Sequence, residues 1–168
     1  MDGSDIMKKE DIYNLLKEKN IWHEITEHEA VWDMEGLAGV DLPYPGSDAK
    51  NLFVRDDKKR VYYLISVKDD KRVDLNEFRN KYETRRLSFA SENDLANILK
   101  LFPGAVTPFG LLNDSDLIVK FYLDKDFFDD SSIIGIHPND NTATVWLKVN
   151  DLVDIIKEHG NEVFIVEL

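Results

Sequence analysis

Apolar residues recur at helical spacing in several parts of the chain. In the first such segment, Ile12, Leu15 and Leu16 fall on one face of a helix. Helix ends are then indicated by capping residues and by glycine or proline. Five helices are predicted: residues 8–19, a short helix from a cap at Asp33 to residue 38, residues 75–82 behind a cap at Asp74, a helix from a Ser91–Asp94 capping box to a stop before Pro103, and a helix from a cap at Asn150 to Gly160.

Runs of alternating, β-branched and aromatic residues predict the strands. Residues 51–55 and 60–67 are two such runs separated by a charged turn, which is the pattern of a hairpin. Further strands are predicted over residues 21–26, 87–89, 109–112, 117–123, 133–137, 142–148 and 163–167, and residues 41–48 are predicted to form a loop. Because strands and helices do not alternate regularly, the pattern favours an α+β fold over a doubly wound parallel sheet.

Composition places the chain among globular proteins of one domain. It has 168 residues, of which 43% are hydrophobic and 32% are charged. We expect one domain over residues 1–168, with the first few residues disordered or tag-like. Residues 1–10 carry no continuous apolar segment, and no stretch could span a bilayer, so we expect a cytoplasmic protein without a membrane partner. The absence of cysteine excludes disulfides, zinc–thiolate sites and cysteine nucleophiles.

Charge is distributed unevenly along the chain. The net charge of -12 argues against a general nucleic-acid binder, because such a surface repels polyanions. Residues 50–86, however, contain 12 Lys or Arg against 7 Asp or Glu. This basic strip could hold a few phosphates of a nucleic acid without reading its sequence. Solvated surface turns would produce the same pattern, so both interpretations stay open.

Among the four histidines, His137 is the candidate for a functional site. It ends a predicted strand and precedes a tight polar turn, which places its imidazole at the rim of a sheet. An ordinary hairpin turn would explain the same sequence. His23 and His28 are five residues apart, which suits no shared metal, and they are predicted to be ordinary surface histidines. His159 lies in the last turn of a helix, where its charge suits the helix dipole.

Two further segments are candidates for chemistry. Gly104-Ala105-Val106-Thr107-Pro108 could present several backbone N–H groups to one oxygen atom, although a plain connector would look similar. Lys50, after a loop rich in proline and glycine, could project its ammonium into a pocket or face the solvent. No nucleotide-binding loop, serine-hydrolase elbow or His-Glu-x-x-His motif occurs. Asp129-Asp130 could coordinate a cation, but we predict neither a metal site nor a cofactor.

Three segments, taken together, resemble one protein family. They are Lys50-Asn-Leu-Phe-Val-Arg-Asp56, Leu87-Ser-Phe-Ala-Ser91 followed by Pro103-Gly-Ala-Val-Thr-Pro-Phe-Gly-Leu-Leu-Asn-Asp114, and His137-Pro-Asn-Asp-Asn-Thr-Ala-Thr144. In this order and spacing they are similar to the YbaK/ProRS-associated aminoacyl-tRNA editing domains, and most similar to the free-standing prolyl-tRNA editing members. The likeness covers residues 12–168.

The resemblance implies a mixed, curled β-sheet forming an irregular barrel with peripheral helices. Its pocket would receive the aminoacylated 3' end of tRNA. Lys50, Gly104 and His137 would be the catalytic positions, with Lys50 anchoring the terminal nucleotide. Other residues are implied to bind the substrate, either beside Lys50, in the glycine-to-proline bend or in the turn after His137: Asn51, Ala105, Val106, Thr107, Pro108, Asn141 and Thr142.

The resemblance also implies a reaction, the hydrolysis of mischarged tRNA(Pro) that carries alanine. The 2'-hydroxyl of the terminal ribose would assist the attacking water, while the protein positions groups and stabilises the oxyanion. A separate editing site is needed because the site that activates proline in a synthetase cannot exclude a smaller amino acid by packing alone. Prolyl-tRNA synthetase is a candidate partner. The alternatives are a deacylase for cysteine or serine and a non-catalytic module that binds tRNA or a protein.

One segment departs from the family pattern. Residues 44–49, directly before Lys50, read Tyr-Pro-Gly-Ser-Asp-Ala, where many relatives carry a Gly-Gly or Gly-Ala pair with a nearby His or Thr. Asp48 is therefore expected to alter contacts with the acceptor stem or the choice of amino acid.

Overall fold

A computed structural model describes residues 6–30, 41–69, 71–129 and 131–168. Within these residues the chain forms eight strands, four α-helical segments and several short 3-10 or π-helical segments. In chain order the elements are α1 (Lys9–Glu18), β1 (His23–Glu27), β2 (Ala49–Asp56), β3 (Tyr62–Lys68), α2 (Leu75–Tyr82), β4 (Leu87–Phe89), α3 (Glu92–Asp94), β5 (Val119–Asp124), β6 (Ile133–Ile136), β7 (Ala143–Lys148), α4 (Val149–His159) and β8 (Val163–Val166). None of the helices in these residues is long and apolar enough to cross a membrane.

The strands form two sheets. The larger has the order β4-β2-β3-β5-β8, in which β4, β2 and β3 are antiparallel neighbours and β3, β5 and β8 are parallel. The smaller sheet is antiparallel and has the order β1-β7-β6. A parallel bridge between Asp48 and Gly135 joins the two sheets. The predicted α+β class with a mixed sheet and peripheral helices is confirmed, but the two ladders of the described strands do not close into a barrel.

The joint between the sheets depends on a glycine. Gly135 donates its backbone N–H to the carbonyl of Ser47 at 2.9 Å. A Cβ atom at this position would lie 2.3 Å from Cζ3 of the buried Trp146, so only glycine fits here without moving the indole. Close approach of the backbone to a large side chain is one of the situations that require glycine.

Apolar residues pack on both faces of the larger sheet. One core lies between the two sheets and is covered by α1 and α4, with Phe53 of β2 among its members. The second core lies on the opposite face, where Val54 of β2 packs with Phe78 of α2. Consecutive residues of β2 therefore belong to different cores, as the period of two in a strand requires.

Local sequence signals predicted several elements correctly. The hairpin of β2 and β3 forms around Asp56, whose carboxylate accepts hydrogen bonds from the backbone N–H groups of Arg60 and Val61. Asp74 caps α2 through the N–H groups of Asn76 and Glu77. The capping box of Ser91 and Asp94 is present at the start of α3. Helix α1 and strand β4 also lie where they were predicted.

The predicted strand over residues 109–112 is wrong. Pro108–Asn113 is a 3-10 helix instead. Pro108 has no N–H group to donate to a strand ladder, and its fixed φ angle suits the first position of a helical turn. Asn113 then holds the segment by donating its side-chain amide to the carbonyl of Leu99 at 2.9 Å. Four apolar residues are too few for their spacing to distinguish a strand from a helix.

Other boundaries differ for steric reasons. Asn150 is not a cap: β7 runs directly into α4, which begins at the buried Val149 with Lys148 as the capping residue. The helix after Ser91 continues as a π-helical turn over Leu95–Leu99 and ends at Lys100, in the left-handed region, before Pro103. β5 begins at Val119 because Leu117 also has a left-handed φ of 55°. The helix predicted over residues 33–38 lies outside the described residues.

Candidate active site

The glycine-to-proline bend is fixed from both sides by side chains of the predicted site. Asn51 of β2 donates its amide to the carbonyl of Val106 at 3.2 Å, and Ser66 of β3 donates its hydroxyl to Asn51 Oδ1. On the other side, the buried Thr107 donates its hydroxyl to the carbonyl of His137 at 2.6 Å. The structure therefore brings together β2, the bend and the end of β6, although these segments are far apart in the sequence.

The bend leaves some of its backbone donors available. Ala105 is already engaged, because its N–H donates to the carbonyl of Phe102 at 2.9 Å, and Pro108 has no N–H. The N–H of Val106 faces the carbonyl of Pro103 across the 3-10 turn Pro103–Ala105 and is not counted as free. Within the described parts of the chain, the N–H groups of Gly104 and Thr107 donate to no other residue. Two of the five predicted positions can thus offer a hydrogen bond to a substrate oxygen.

His137 directly follows β6, and one of its ring nitrogens is fixed by a hydrogen bond. Its Nδ1 is 2.8 Å from the carbonyl of Ala143. Because a carbonyl only accepts, this contact assigns the proton of the neutral ring to Nδ1 and leaves Nε2 as an acceptor. Burial holds the pKa of His137 below its ordinary value, and nearby His28 acts in the same direction, against the Ala143 carbonyl and Asp140. The result is a neutral imidazole whose Nε2 has no hydrogen-bond partner among the described residues and can accept a hydrogen bond.

His28 accompanies His137, a pairing that the sequence interpretation missed. The two ring centroids are 6.0 Å apart, and the rings meet edge to face at 63°. Nδ1 of His28 contacts the carbonyl of Glu29 at 2.9 Å, and its Nε2 contacts the hydroxyl of Thr144 at 3.0 Å. The two histidines are so far apart in the chain that no local spacing could have revealed the pair.

The turn after His137 is anchored to the first helix. Asn139 donates its amide to the carbonyl of Met7 at 2.9 Å. The hydroxyl of Thr142 donates to Asp140 and accepts from the ammonium of Lys9, both at 2.9 Å. Thr142 therefore holds the turn against α1, and its hydroxyl is not presented to the bend. Asn141, the other predicted binding residue in this turn, is 3% exposed.

Lys50 is half-buried at the start of β2, beside Asn51. Its ammonium forms no hydrogen bond or ion pair with any of the described residues. Strand alternation directs its side chain to the face of β2 that carries Val54, whereas Asn51 points to the face that carries Phe53. The structure thus brings Asn51, the bend and His137 into contact, but it does not bring Lys50 into contact with them.

Asp48, the residue that departs from the family pattern, is part of the joint between the sheets. It is only 6% exposed. Its carbonyl accepts from the N–H of Asp69 at 2.8 Å, and its backbone forms the bridge to Gly135. Asp48 therefore lies within the framework that supports the start of β2.

The basic strip is only partly available to a ligand. Arg55, Lys68, Lys71 and Arg85 form ion pairs with aspartates, and Lys81 donates to the carbonyl of Glu167. Among the described residues, seven cations of the strip have no side-chain partner: Lys50, Lys58, Lys59, Arg60, Arg72, Arg79 and Arg86. Four of these lie together, since Lys58, Lys59 and Arg60 form the hairpin turn and Arg86 precedes β4, which pairs with the end of β2. We call these four the hairpin-tip cations.

The remaining candidates have structural explanations. His23 contacts the carbonyl of Ile21, and His159, at the end of α4, contacts Asn161. Asp129 forms an ion pair with Lys68, which lowers its pKa to about 2, while Asp130 lies outside the described residues. No group of three or more histidines, aspartates or glutamates in the described segments is arranged to hold a metal ion.

Comparison with known proteins gives one consistent family. A family profile described as the aminoacyl-tRNA editing domain matches residues 28–155. The chain is 39% identical over 164 residues to the prolyl-tRNA editing protein ProX of Acetoanaerobium sticklandii, covering 98% of this chain and 99% of that protein. It is 32% identical over 146 residues to the prolyl-tRNA synthetase associated domain-containing protein 1 of Bos taurus, covering 85% of each.

Solved structures share the same fold. The structure described as a proposed trans-editing enzyme for prolyl tRNA synthetase superposes with a TM-score of 0.68, covering 100% of this chain and 99% of that one. The sequence identity is 16%, so this likeness concerns the fold alone.

Proposed function

The chain belongs to the aminoacyl-tRNA editing domain family, and from this premise we propose that it acts in trans to deacylate mischarged tRNA(Pro). Its relatives are prolyl-tRNA editing and synthetase-associated proteins, which supports tRNA(Pro) as the nucleic-acid partner. The observation that carries the proposal is the pair of contacts that joins Asn51 to Val106 and Thr107 to His137. These contacts assemble donors and an acceptor around one bend of the backbone.

We propose alanine as the amino acid removed. Alanine is smaller than proline by only one or two methylene groups, so a site that activates proline can discriminate against alanine only weakly. A second site is therefore needed to hydrolyse the misacylated product. Cysteine and serine are alternative amino acids of similar size. The half-buried Val106 and the imidazole of His137 would line the aminoacyl pocket and set its size.

In the proposed reaction the protein acts mainly by positioning. Water adds to the ester carbonyl carbon, and the free N–H groups of Gly104 and Thr107 stabilise the oxyanion that forms. The bond from the carbonyl carbon to the ribose 3'-oxygen then breaks, and the terminal 2'-hydroxyl relays a proton from the water to the leaving oxygen. The products are the free amino acid and uncharged tRNA. Holding these groups in a reactive geometry can account for much of the rate.

His137 is assigned to the aminoacyl group in this proposal. The ammonium of an aminoacyl ester is a donor, and the unprotonated Nε2 of His137 is a matching acceptor. Lys50 is assigned to a phosphate near the terminal nucleotide, on the other face of β2. Its unpaired ammonium supports this role, although the side chain contacts neither the bend nor His137.

A non-catalytic tRNA-binding module is the second candidate, and the hairpin-tip cations favour it. Four neighbouring cations without described partners could hold phosphates whether or not the chain hydrolyses the ester. Such a module would bind tRNA in a salt-dependent manner without any turnover.

A panel of charged tRNAs tests the proposal. Ala-, Cys-, Ser- and Pro-tRNA(Pro) are incubated with the wild type, with Lys50→Ala and with Lys58→Ala, and release of the amino acid is followed. We expect hydrolysis of Ala-tRNA(Pro) in preference to Pro-tRNA(Pro), and a larger loss for Lys50→Ala than for Lys58→Ala, which removes a matched lysine from the same hairpin. Tight tRNA binding by the wild type without release of any amino acid would leave only the binding module.

A further inference from the structure

His28 has no ring nitrogen left for a ligand, although it lies beside the proposed site. Its backbone N–H donates to the carbonyl of Thr142 at 3.0 Å. Its Nδ1 contacts the carbonyl of Glu29, and its Nε2 contacts the hydroxyl of Thr144. A histidine with both nitrogens engaged by the protein is suited to position another group, and it is not suited to take part in proton transfer.

Two consecutive residues of β7 hold both imidazole rings. The carbonyl of Ala143 accepts from His137, and the hydroxyl of Thr144 holds His28. Ala143 is 0% exposed and Thr144 is 2% exposed. Both lie in β7, the central strand of the smaller sheet, which pairs with β1 and β6. The relative placement of the rings is therefore set by a rigid strand of the core, which is the kind of support that precise sites need.

A single hydrogen bond at Nδ1 leaves an imidazole free to tilt about that bond. The edge of His28, whose centroid is 6.0 Å from that of His137, limits this tilt. We propose that His28 is a positioning residue that, anchored on Thr144, keeps Nε2 of His137 aimed at the aminoacyl group of the substrate. This inference rests on the proposed deacylase function and extends it to a residue that makes no contact with the substrate.

Charge supports the same arrangement. The charged or titratable groups that face His137 are His28 from the segment after β1 and Asp140 from the following turn. His28 helps to keep the pKa of His137 low, whereas Asp140 acts in the opposite direction. Removal of His28 should therefore raise the pKa of His137.

Steady-state deacylation of Ala-tRNA(Pro) tests the positioning role. For His28→Ala we expect kcat to fall about tenfold with little change in KM, because small misplacements of a reacting group are costly. Thr144→Val, which removes only the anchoring hydroxyl, should lower kcat in the same direction by a smaller factor. His23→Ala is the matched control, since His23 lies on β1 and its ring forms a hydrogen bond, among the described residues, only with the carbonyl of Ile21. It should behave as the wild type.

A double-mutant cycle separates positioning from general structural damage. If His28 acts through His137, then adding His28→Ala to His137→Ala causes no further loss of kcat. An equal loss in both backgrounds, or no loss from His28→Ala alone, would overturn the proposal.

NMR titration of the His137 ring in the free protein gives a readout that needs no tRNA. A pKa that rises in His28→Ala supports the contact, and an unchanged pKa contradicts it. A wild type that hydrolyses no charged tRNA would count against the proposed function, and the titration would still decide whether His28 controls His137.

Discussion

The two ends of strand β2 differ in how their polar groups are held. At the Asn51 end, side chains of β2, β3 and the bend are joined by hydrogen bonds, and Thr107 continues the network to His137. At the hairpin end, Lys58, Lys59 and the neighbouring cations have no side-chain partners in the described structure. The first end fixes the side chain of Asn51 in place, with Lys50 beside it as its one unpaired group among the described residues, while the hairpin end leaves all of these cations extended into solvent.

This difference matches the two demands of a long substrate. Groups that take part in a reaction must be fixed to a fraction of an ångström, whereas cations that hold phosphates can act from flexible side chains. β2 has eight residues, so its ends lie roughly 23 Å apart. In the proposed function the aminoacyl end of tRNA occupies the fixed end, and phosphates further along the acceptor arm reach the hairpin-tip cations. The variants below test this division of roles.

The largest effect is expected for Asn51→Ala. This change removes the link between β2 and the carbonyl of Val106, and the bend loses the side chain that orients its amides. We expect kcat/KM for Ala-tRNA(Pro) to fall about a hundredfold, mainly through kcat. Asn97→Ala, at an exposed asparagine of the π-helical turn, is the matched control and should retain wild-type activity. A loss confined to KM would contradict the assignment of this end to chemistry.

A smaller loss is expected for Thr107→Val. The substitution preserves shape but removes the hydroxyl that donates to the carbonyl of His137. The loss of one hydrogen bond corresponds to about tenfold in rate. The kcat of deacylation is the quantity to measure, with a melting curve to verify that the variant is folded. Unchanged kcat in a folded variant would mean that the bend and His137 act independently.

The double substitution of Lys58 and Lys59 by glutamine should affect binding alone. We expect KM to rise roughly fivefold near physiological salt with kcat unchanged, because only phosphate contacts are lost. The slope of log binding constant against log salt should decrease by about 2. Arg72→Gln, another cation without a described partner but away from the hairpin turn, serves as the control. A fall in kcat here would contradict the separation of the two ends.

The smallest effect concerns pH. Burial lowers the pKa of His137, so its neutral form persists below the ordinary histidine value of about 6.5. Activity that requires a neutral Nε2 should therefore decline only at a pH below that value. The free energy of unfolding should also fall as the pH drops below 6.5, because the unfolded chain then binds the proton first. The pH at which kcat/KM declines on the acid side is measured from a pH profile of the wild type and is compared with that of His28→Ala. An acid limb above pH 6.5 in the wild type would contradict a neutral, buried His137.

Short-range signals predicted much of the fold. Asp74 and Ser91 predicted their helix starts because a cap depends on residues three positions away. The β2–β3 hairpin followed from two β-rich runs around one charged turn. The 3-10 helix Pro108–Asn113 could not be predicted in the same way, since it is held by Asn113 through contacts to Leu99 and Met7, which are distant in the sequence.

The candidate site was predictable only in part. Family resemblance indicated the bend and His137, and in the structure the bend is hydrogen-bonded to Asn51 on one side and to His137 on the other. The partner of His137 could not be predicted, because the His28 contact depends on the pairing of β1 with β7. The opposite orientation of Lys50 and Asn51 was not predicted, because the predicted strand began at residue 51 and left Lys50 in the preceding loop, whereas β2 begins at Ala49 and strand periodicity then places the two side chains on different faces.

Single-turnover deacylation of Ala-tRNA(Pro) at saturating protein, combined with the Kd of the same tRNA, tests the division of roles most directly. The wild type, Asn51→Ala and the double hairpin variant at Lys58 and Lys59 are compared. We predict a rate constant reduced about a hundredfold with unchanged Kd for Asn51→Ala, and an unchanged rate constant with weaker binding for the hairpin variant. A wild type that releases no alanine, or effects that are reversed between the two variants, would contradict this account.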